Sequence, residues 1–208
     1  SVSLKHIHLT CVVQSYEFTQ TRKKFEDYAR RYFHSIKLIP DWQITYLSTF
    51  GREQGICLVV DKGVSLSYLH EARLRKIWGW KYPVYDLGGE NWLGVQAIRH
   101  TVEAEGGFVP MSELASNILT KHGGRIENIL ESCFKKDKDP DVYCKFADVL
   151  LRCYFLGDAK SVEIIEEGFR LVYRAIAQVD EVTGKKLKIS IHGSLADIYK
   201  SFIKRERF

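Results

Sequence analysis

The chain lacks the features that would commit it to a membrane, a disulfide scaffold or a fibrous architecture. No apolar run approaches the roughly 20 residues of a membrane span, and the opening SVSLKHIHLT has no signal-peptide core. The five cysteines (Cys11, Cys57, Cys133, Cys144 and Cys153) form no CxxC pair, and their number is odd. Reduced, mostly buried thiols in a cytosolic protein are therefore expected, not a disulfide framework. There is no internal repeat and no low-complexity linker. The single methionine, Met111, is internal, so the chain as given does not start at its own initiator and is expected to be a processed, tagged or trimmed product.

What is present is globular. The 208 residues are 45% hydrophobic and 27% charged, enough apolar side chain for a sizeable core in one large domain or two small ones. A net charge of +5 is mild. It favours solubility or an anionic ligand and does not demand nucleic acid or a membrane surface. The basic runs Arg22–Lys24, Arg30-Arg31, Lys135–Lys138 and Lys204–Arg207 lack interleaved aromatics and read as solvated helix faces.

Periodicity gives the element order. Ile7, Leu9, Cys11 and Val13 share one face of a strand. From Glu17 to Phe33 the spacing of Phe18, Phe25, Tyr28, Ala29 and Tyr32 is helical. Ile36–Ile39 is a second short strand, and Trp42–Phe50 a second helix, so the first 50 residues read β-α-β-α with parallel neighbouring strands. GICLVVDKG reads as a strand buried on both faces, followed by strands near Val64–Leu69 and Ala72–Trp78 and a loop over Trp80–Asn91. The remainder is mainly helical. Helices are expected over 92–105, from Pro110 to the Gly123-Gly124 pair, from Asp139-Pro140, and after Gly157-Asp158. A strand through Leu187, Ile189 and Ile191 then turns at His192-Gly193-Ser194 into a last helix.

Three places could carry chemistry. Asp41 follows a short strand, where open α/β sheets bind ligands and a carboxylate can act as base toward a hydroxyl. The alternative is a helix N-cap. The loop holding Gly79, Trp80, Asp86, Glu90 and Trp92 combines aromatic faces with carboxylates, as sugar sites do, or is a surface loop with a capping acid. Gly193-Ser194 opens a helix whose free amides could meet phosphate, or is a plain strand-to-helix turn. His6 and His8 point the same way from a strand, but no third metal ligand is spaced nearby.

Taken in order, these pieces resemble a known family. IWGWKYPVYDLGGENWLGVQAIRHTVEAEGG is similar to the signature of the N-acetylglucosamine kinase and BadF/BadG-type ATPase family. IKLIPDWQITYLS resembles that family's strand-Asp-helix element, GICLVVDKGVSLSYL its strand and second phosphate loop, YFLGDAKSVEIIEEGFRLV its GD-containing helices, and ISIHGSLADIYKSF its strand and Gly-rich turn. The resemblance implies an α/β ribonuclease-H-like fold of the actin and sugar-kinase superfamily, in which two lobes close on ATP, Mg²⁺ and a sugar. Residues 1–52 would be a partial N-terminal lobe, and 53–208 a second lobe with a helical insertion. Asp41 would be the catalytic base, Gly79, Trp80 and Asp86 substrate contacts, Lys62 and Gly63 part of the second phosphate loop, and Gly193 and Ser194 the turn beside the nucleotide. The family's DGGGTKT-like opening loop and its C-terminal end have no counterpart here, and the second loop reads Asp61-Lys62-Gly63-Val64 where GTGS is usual. Two functions follow: a cytoplasmic ATP-dependent sugar kinase, or a non-catalytic relative that binds a sugar-like ligand or a protein partner. A sheet edge left open by absent strands would favour a homodimer. The scattered cysteines argue against an iron–sulfur activase.

Overall fold

A parallel pair of strands joined through a helix opens the fold, in a computed structural model that describes residues 4–13, 16–80, 82–135 and 141–207. Strand β1 (His8–Val13) runs into helix α1 (Thr19–Ala29), and β2 (Ser35–Pro40) returns parallel to β1 with Leu9 opposite Ile36 and Cys11 opposite Leu38. Along β1 Leu9, Cys11 and Val13 are half-buried while His8, Thr10 and Val12 are exposed, as expected, but Ile7 falls before the strand and His6 ends a short 3-10 turn, Leu4–His6. Helix α1 is shorter than its aromatic spacing predicts. Of that spacing only Ala29 is buried, while Phe25 and Tyr28 stay 40% and 59% exposed, because among the described residues little is laid over this face.

The second sheet has the order β5-β4-β3-β6. Strands β3 (Ile56–Val60), β4 (Val64–His70) and β5 (Arg73–Lys76) form an antiparallel meander, and β6 (Ile189–His192) joins β3 in parallel. The unbroken apolar run of β3 is explained by cover on both sides. Ile56, Leu58 and Val60 enter the main core, whereas Cys57 meets Tyr46 and Phe50 of helix α2 (Asp41–Phe50) on the opposite face. Helix α2 also touches β1 and β2, so it is the element common to both sheets.

The rest of the core is helical: α3 (Glu90–Glu105), α4 (Glu113–Lys121), α5 (Ile126–Phe134), α6 (Val142–Phe155), α7 (Ala159–Thr183) and α8 (Ala196–Arg207). Ser112 caps α4 by accepting from the Ala115 amide at 3.2 Å, and Asp158 caps α7 through the Ser161 amide at 2.8 Å. The break expected at Gly157-Asp158 is thus the start of α7, and Gly123 and Gly124, both at positive φ, end α4. Helix α5 was not legible beforehand: its two buried apolar residues, Ile129 and Cys133, sit between a glycine pair and a lysine run. The helix start expected at Asp139-Pro140 lies outside the described residues. No helix among the described residues is long and apolar enough to cross a membrane, and all five cysteines are free.

Helices α3 and α6 approach closely because Gly94 presents no side chain; a Cβ there would lie 1.9 Å from the Tyr143 carbonyl oxygen. Gly94→Ala should therefore cost about 2–3 kcal/mol, read as a lower urea midpoint; an unchanged midpoint would contradict this packing. Burial, aided by Lys160 and Lys121 respectively, holds His100 and His122 below the usual histidine range. The unfolded chain then takes up protons more readily than the folded one, so stability falls as the pH drops through about 6.5. The melting temperature should decline more between pH 7 and pH 5 in the native protein than in a His100→Gln, His122→Gln double variant.

Candidate functional site

Four of the residues singled out in the sequence converge on one cavity of about 190 Å³, whose lining includes Asp41, Gly63, Gly79 and Asp86. Pro40 holds φ at −66° in extended backbone and so ends β2 directly at the helix. Asp41 is the first residue of α2, and its Oδ1 accepts from the Trp42 amide at 2.8 Å. The cap position is Pro40 and no side chain caps the helix, so Asp41 is its first residue and not the N-cap of the alternative reading, and it stands on the cavity wall. One turn along, Thr45 faces the same cavity.

The opposite wall comes from the β3–β4 turn and the loop that leads into α3. Asp86 is 7% exposed, and a Cβ on Gly63 would stand 2.3 Å from its Oδ2. Glycine at 63 is what lets this carboxylate approach. A Cβ on Gly89 would likewise meet Gly63 Cα at 2.8 Å. The two segments are joined by the Glu90 amide donating to the Asp61 carbonyl (2.9 Å) and the Asn91 amide and Nδ2 donating to the Lys62 carbonyl (3.1 and 3.0 Å). Behind them the Tyr199 hydroxyl donates to the Gly88 carbonyl at 2.7 Å, and burial pushes its pKa up, so it remains a donor.

The sequence reading missed Lys76, Glu17 and Trp42. Lys76 Nζ lies 2.6 Å from Glu17 Oε1, donates to the Gly79 carbonyl at 3.1 Å, and sits 5.4 Å and 6.0 Å from the ring centres of Trp80 and Trp42. Its side chain is only 12% exposed. Trp80 itself is more than half exposed and lines an adjoining cavity, so it borders the first one without closing it. In sequence, Lys76 is one more basic residue at the end of a strand, and nothing local marks it. The first cavity therefore offers carboxylates to accept hydroxyl protons, an ammonium and the hydroxyls of Thr45 and Ser65 to donate, and an indole beside them. That donor and acceptor set suits a polyhydroxylated ligand.

The phosphate side is built differently. Lys62 Nζ turns to Asp141 at 2.6 Å. Ser194 Oγ lies 3.0 Å from Asp61 Oδ1 and 2.5 Å from Glu90 Oε1. Gly193 is at φ +103°, where a Cβ would be 2.2 Å from the Val60 carbonyl, and the Leu195 amide donates to that same carbonyl. Burial and the neighbouring Glu90 push the Cys144 thiol up to about 12, another sign of negative charge at this end. Triphosphates are held by free amides and cations. Here the amides of residues 90, 91 and 195 serve protein carbonyls, and two carboxylates share the Ser194 hydroxyl. Lys62 and Gly63 thus lie in one turn and Gly193 and Ser194 in the turn beside it, and in this arrangement the Lys62 ammonium and the Ser194 hydroxyl are both engaged by carboxylates. Among the described residues no three histidine, cysteine or acidic side chains gather as a protein-built metal site.

No protein-family model matches the chain, and no curated protein matches its sequence. Solved structures do. A candidate N-acetylglucosamine kinase from Chromobacterium violaceum superposes with a TM-score of 0.81 at 21% identity, over 97% of this chain and 69% of that one. A second candidate N-acetylglucosamine kinase, from Porphyromonas gingivalis, gives 0.73 at 15% identity over 97% and 70%. At these identities the likeness establishes the fold: an α/β sugar-kinase-like architecture with a mixed sheet.

The Lys76–Glu17 pair is a partly buried joint between β5 and the segment before α1. Lys76→Met should cost about 2 kcal/mol, since it leaves the Glu17 carboxylate beside apolar rings, and Lys76→Arg should recover part of the loss. Urea denaturation measures both; a methionine variant as stable as the native chain would show the pair to be dispensable.

Proposed function

We propose that this chain binds a sugar, with an N-acetylhexosamine the first ligand to test, in the cavity between α2 and the β3–β4 turn, and that it does so as a binding protein on a sugar-kinase fold. The observation that carries this reading is the convergence of Asp41 and Asp86, 45 positions apart in the sequence, on one polar cavity beside Trp42. Asp86, held by the Gly63 approach, would accept from ring hydroxyls. Thr45, Ser65 and Lys76 would donate to ring oxygens, and the indole would take an apolar sugar face. Five free cysteines support a cytoplasmic location, and the two sheets, bridged by α2, support reading 1–52 and 53–208 as two lobes.

A second reading is phosphoryl transfer to a sugar hydroxyl with Asp41 as base. The position of Asp41 on the cavity wall favours it. It also needs phosphate contacts at the Asp61–Gly63 and Gly193–Ser194 turns, where the Lys62 ammonium and the Ser194 hydroxyl already meet carboxylates.

Thermal-shift and calorimetric titrations separate the two. N-acetylglucosamine or glucose should raise the melting temperature saturably, Asp86→Asn should weaken that binding about tenfold or more, and millimolar Mg·ATP should give no shift. Absence of any sugar-dependent shift would overturn the proposal. A saturable Mg·ATP shift, with sugar-dependent ADP release abolished in Asp41→Asn, would establish the kinase reading instead.

A further inference from the structure

The polar cavity does not end at Lys76. A second cavity of about 430 Å³ opens on the far side of the Glu17–Lys76 pair and shares Glu17, Trp42 and Lys76 with the first. The first alone, at about 190 Å³, is small beside the roughly 300–1,000 Å³ of ordinary ligand sites. The second is more apolar: Leu38, Ile39 and Pro40 from the end of β2, Leu47 from α2 and the rings of Trp42 and Trp80 make most of its wall, with Tyr16, Lys37 and Gln43 as its polar members. Trp80 and Leu47 are 54% and 40% exposed, so the core does not account for them.

Resting on the sugar-binding reading above, we propose that this second cavity is a subsite for an apolar substituent on the sugar held in the first, so that the chain selects an aryl or alkyl glycoside over the free sugar. The joint sets the chemistry. The charge of Lys76 is balanced by Glu17 at 2.6 Å, which leaves it a proton to donate but little net attraction for an anionic substituent; the Glu17 carboxylate repels one, and only the exposed Lys37 draws it the other way. A second sugar ring would find partners in Tyr16 and Gln43, but it would also set hydroxyls against Leu38, Ile39 and Leu47, which cannot satisfy them, and desolvating those hydroxyls would cost affinity. An aryl or alkyl group meets none of these penalties, and an aryl group gains offset or edge contacts with the two indoles.

The test is calorimetry on the full chain with the α- and β-anomers of methyl and 4-nitrophenyl N-acetylglucosaminide, and with 4-nitrophenol alone. One 4-nitrophenyl anomer should bind on the order of tenfold tighter than its methyl counterpart, the return on burying one phenyl ring. It should also quench the exposed Trp80 fluorescence, an effect absent in Trp80→Phe. Leu47→Gln should reduce the aryl preference to threefold or less while leaving methyl-glycoside affinity unchanged. Gln43→Phe, which fills the cavity from the same helix, should do the same without touching Leu47. Equal binding of aryl and methyl glycosides, or a preference that survives both variants, overturns the subsite while leaving the sugar site standing. Failure of every glycoside to bind overturns the sugar-binding reading and the subsite with it. Binding of 4-nitrophenol as tightly as its glycoside also overturns the proposal, since the cavity would then act independently of the sugar.

Discussion

The close clasp between the β3–β4 turn and the start of α3 is the constraint on which the site depends. Gly63 and Gly89 leave no room between the two segments, and three hydrogen bonds from Glu90 and Asn91 to the carbonyls of Asp61 and Lys62 tie them. The clasp is itself clamped from behind. A Cβ on Gly88 would stand 2.6 Å from the Gly168 carbonyl of α7, and Tyr199 of α8 donates to the Gly88 carbonyl. Backbone pressed on backbone cannot slide without breaking several of these contacts together. Asp86 therefore reaches the cavity with its position fixed before any ligand arrives, which is how a site avoids the cost of ordering side chains on binding.

On the proposed reading as a binding protein, the same clasp bears on phosphate as well. Amides at the head of a helix are the usual resource for phosphate, and at α3 two of them already point into the protein. The charges are also of the wrong sign: Asp61 and Glu90 meet at Ser194, and Lys62 faces Asp141. Lys62 and Asp141 are both substantially exposed, so their attraction is weak and screened by salt. On that reading the Asp61–Glu90–Ser194 arrangement weighs against phosphate more than the pairing of the lysine does.

What could be read from the sequence was what depends on short-range pattern. The β-α-β-α opening, the doubly buried strand 56–60 and the glycine turns were all visible, because period and turn chemistry act over a few residues. Asp41, Asp86 and Gly63 were legible through their resemblance to a family, and their assembly into one cavity bears on the sugar site without testing each role. Lys76, Glu17 and Trp42 were not legible. They matter only because β5 and the chain before α1 are brought together by tertiary packing, 59 positions apart. Helix α1 shows the converse failure: its aromatic spacing is helical, yet periodicity says nothing about whether a partner exists to cover the face. The β4–β5 connection gave no turn signal either. Glu71 and Ala72 both adopt positive φ, where Asn-Gly would be usual, so the strand pairing there overrides residue preference.

The proposed sugar cavity and the two turns beside it rest on different supports, so one can persist without the other. The cavity is carried by α2, β4, β5, Gly79 and Asp86, with α2 anchored by Tyr46 and Phe50 against Cys57. Those anchors are core residues, and their loss would cost folding as well as binding. The phosphate side is carried by two turns whose side chains can change with little effect on the core. A sequence drifting under selection for stability alone would keep the first set and lose the second. The pattern in this chain, an intact polar cavity beside turns that satisfy themselves, is the one that such separate supports allow.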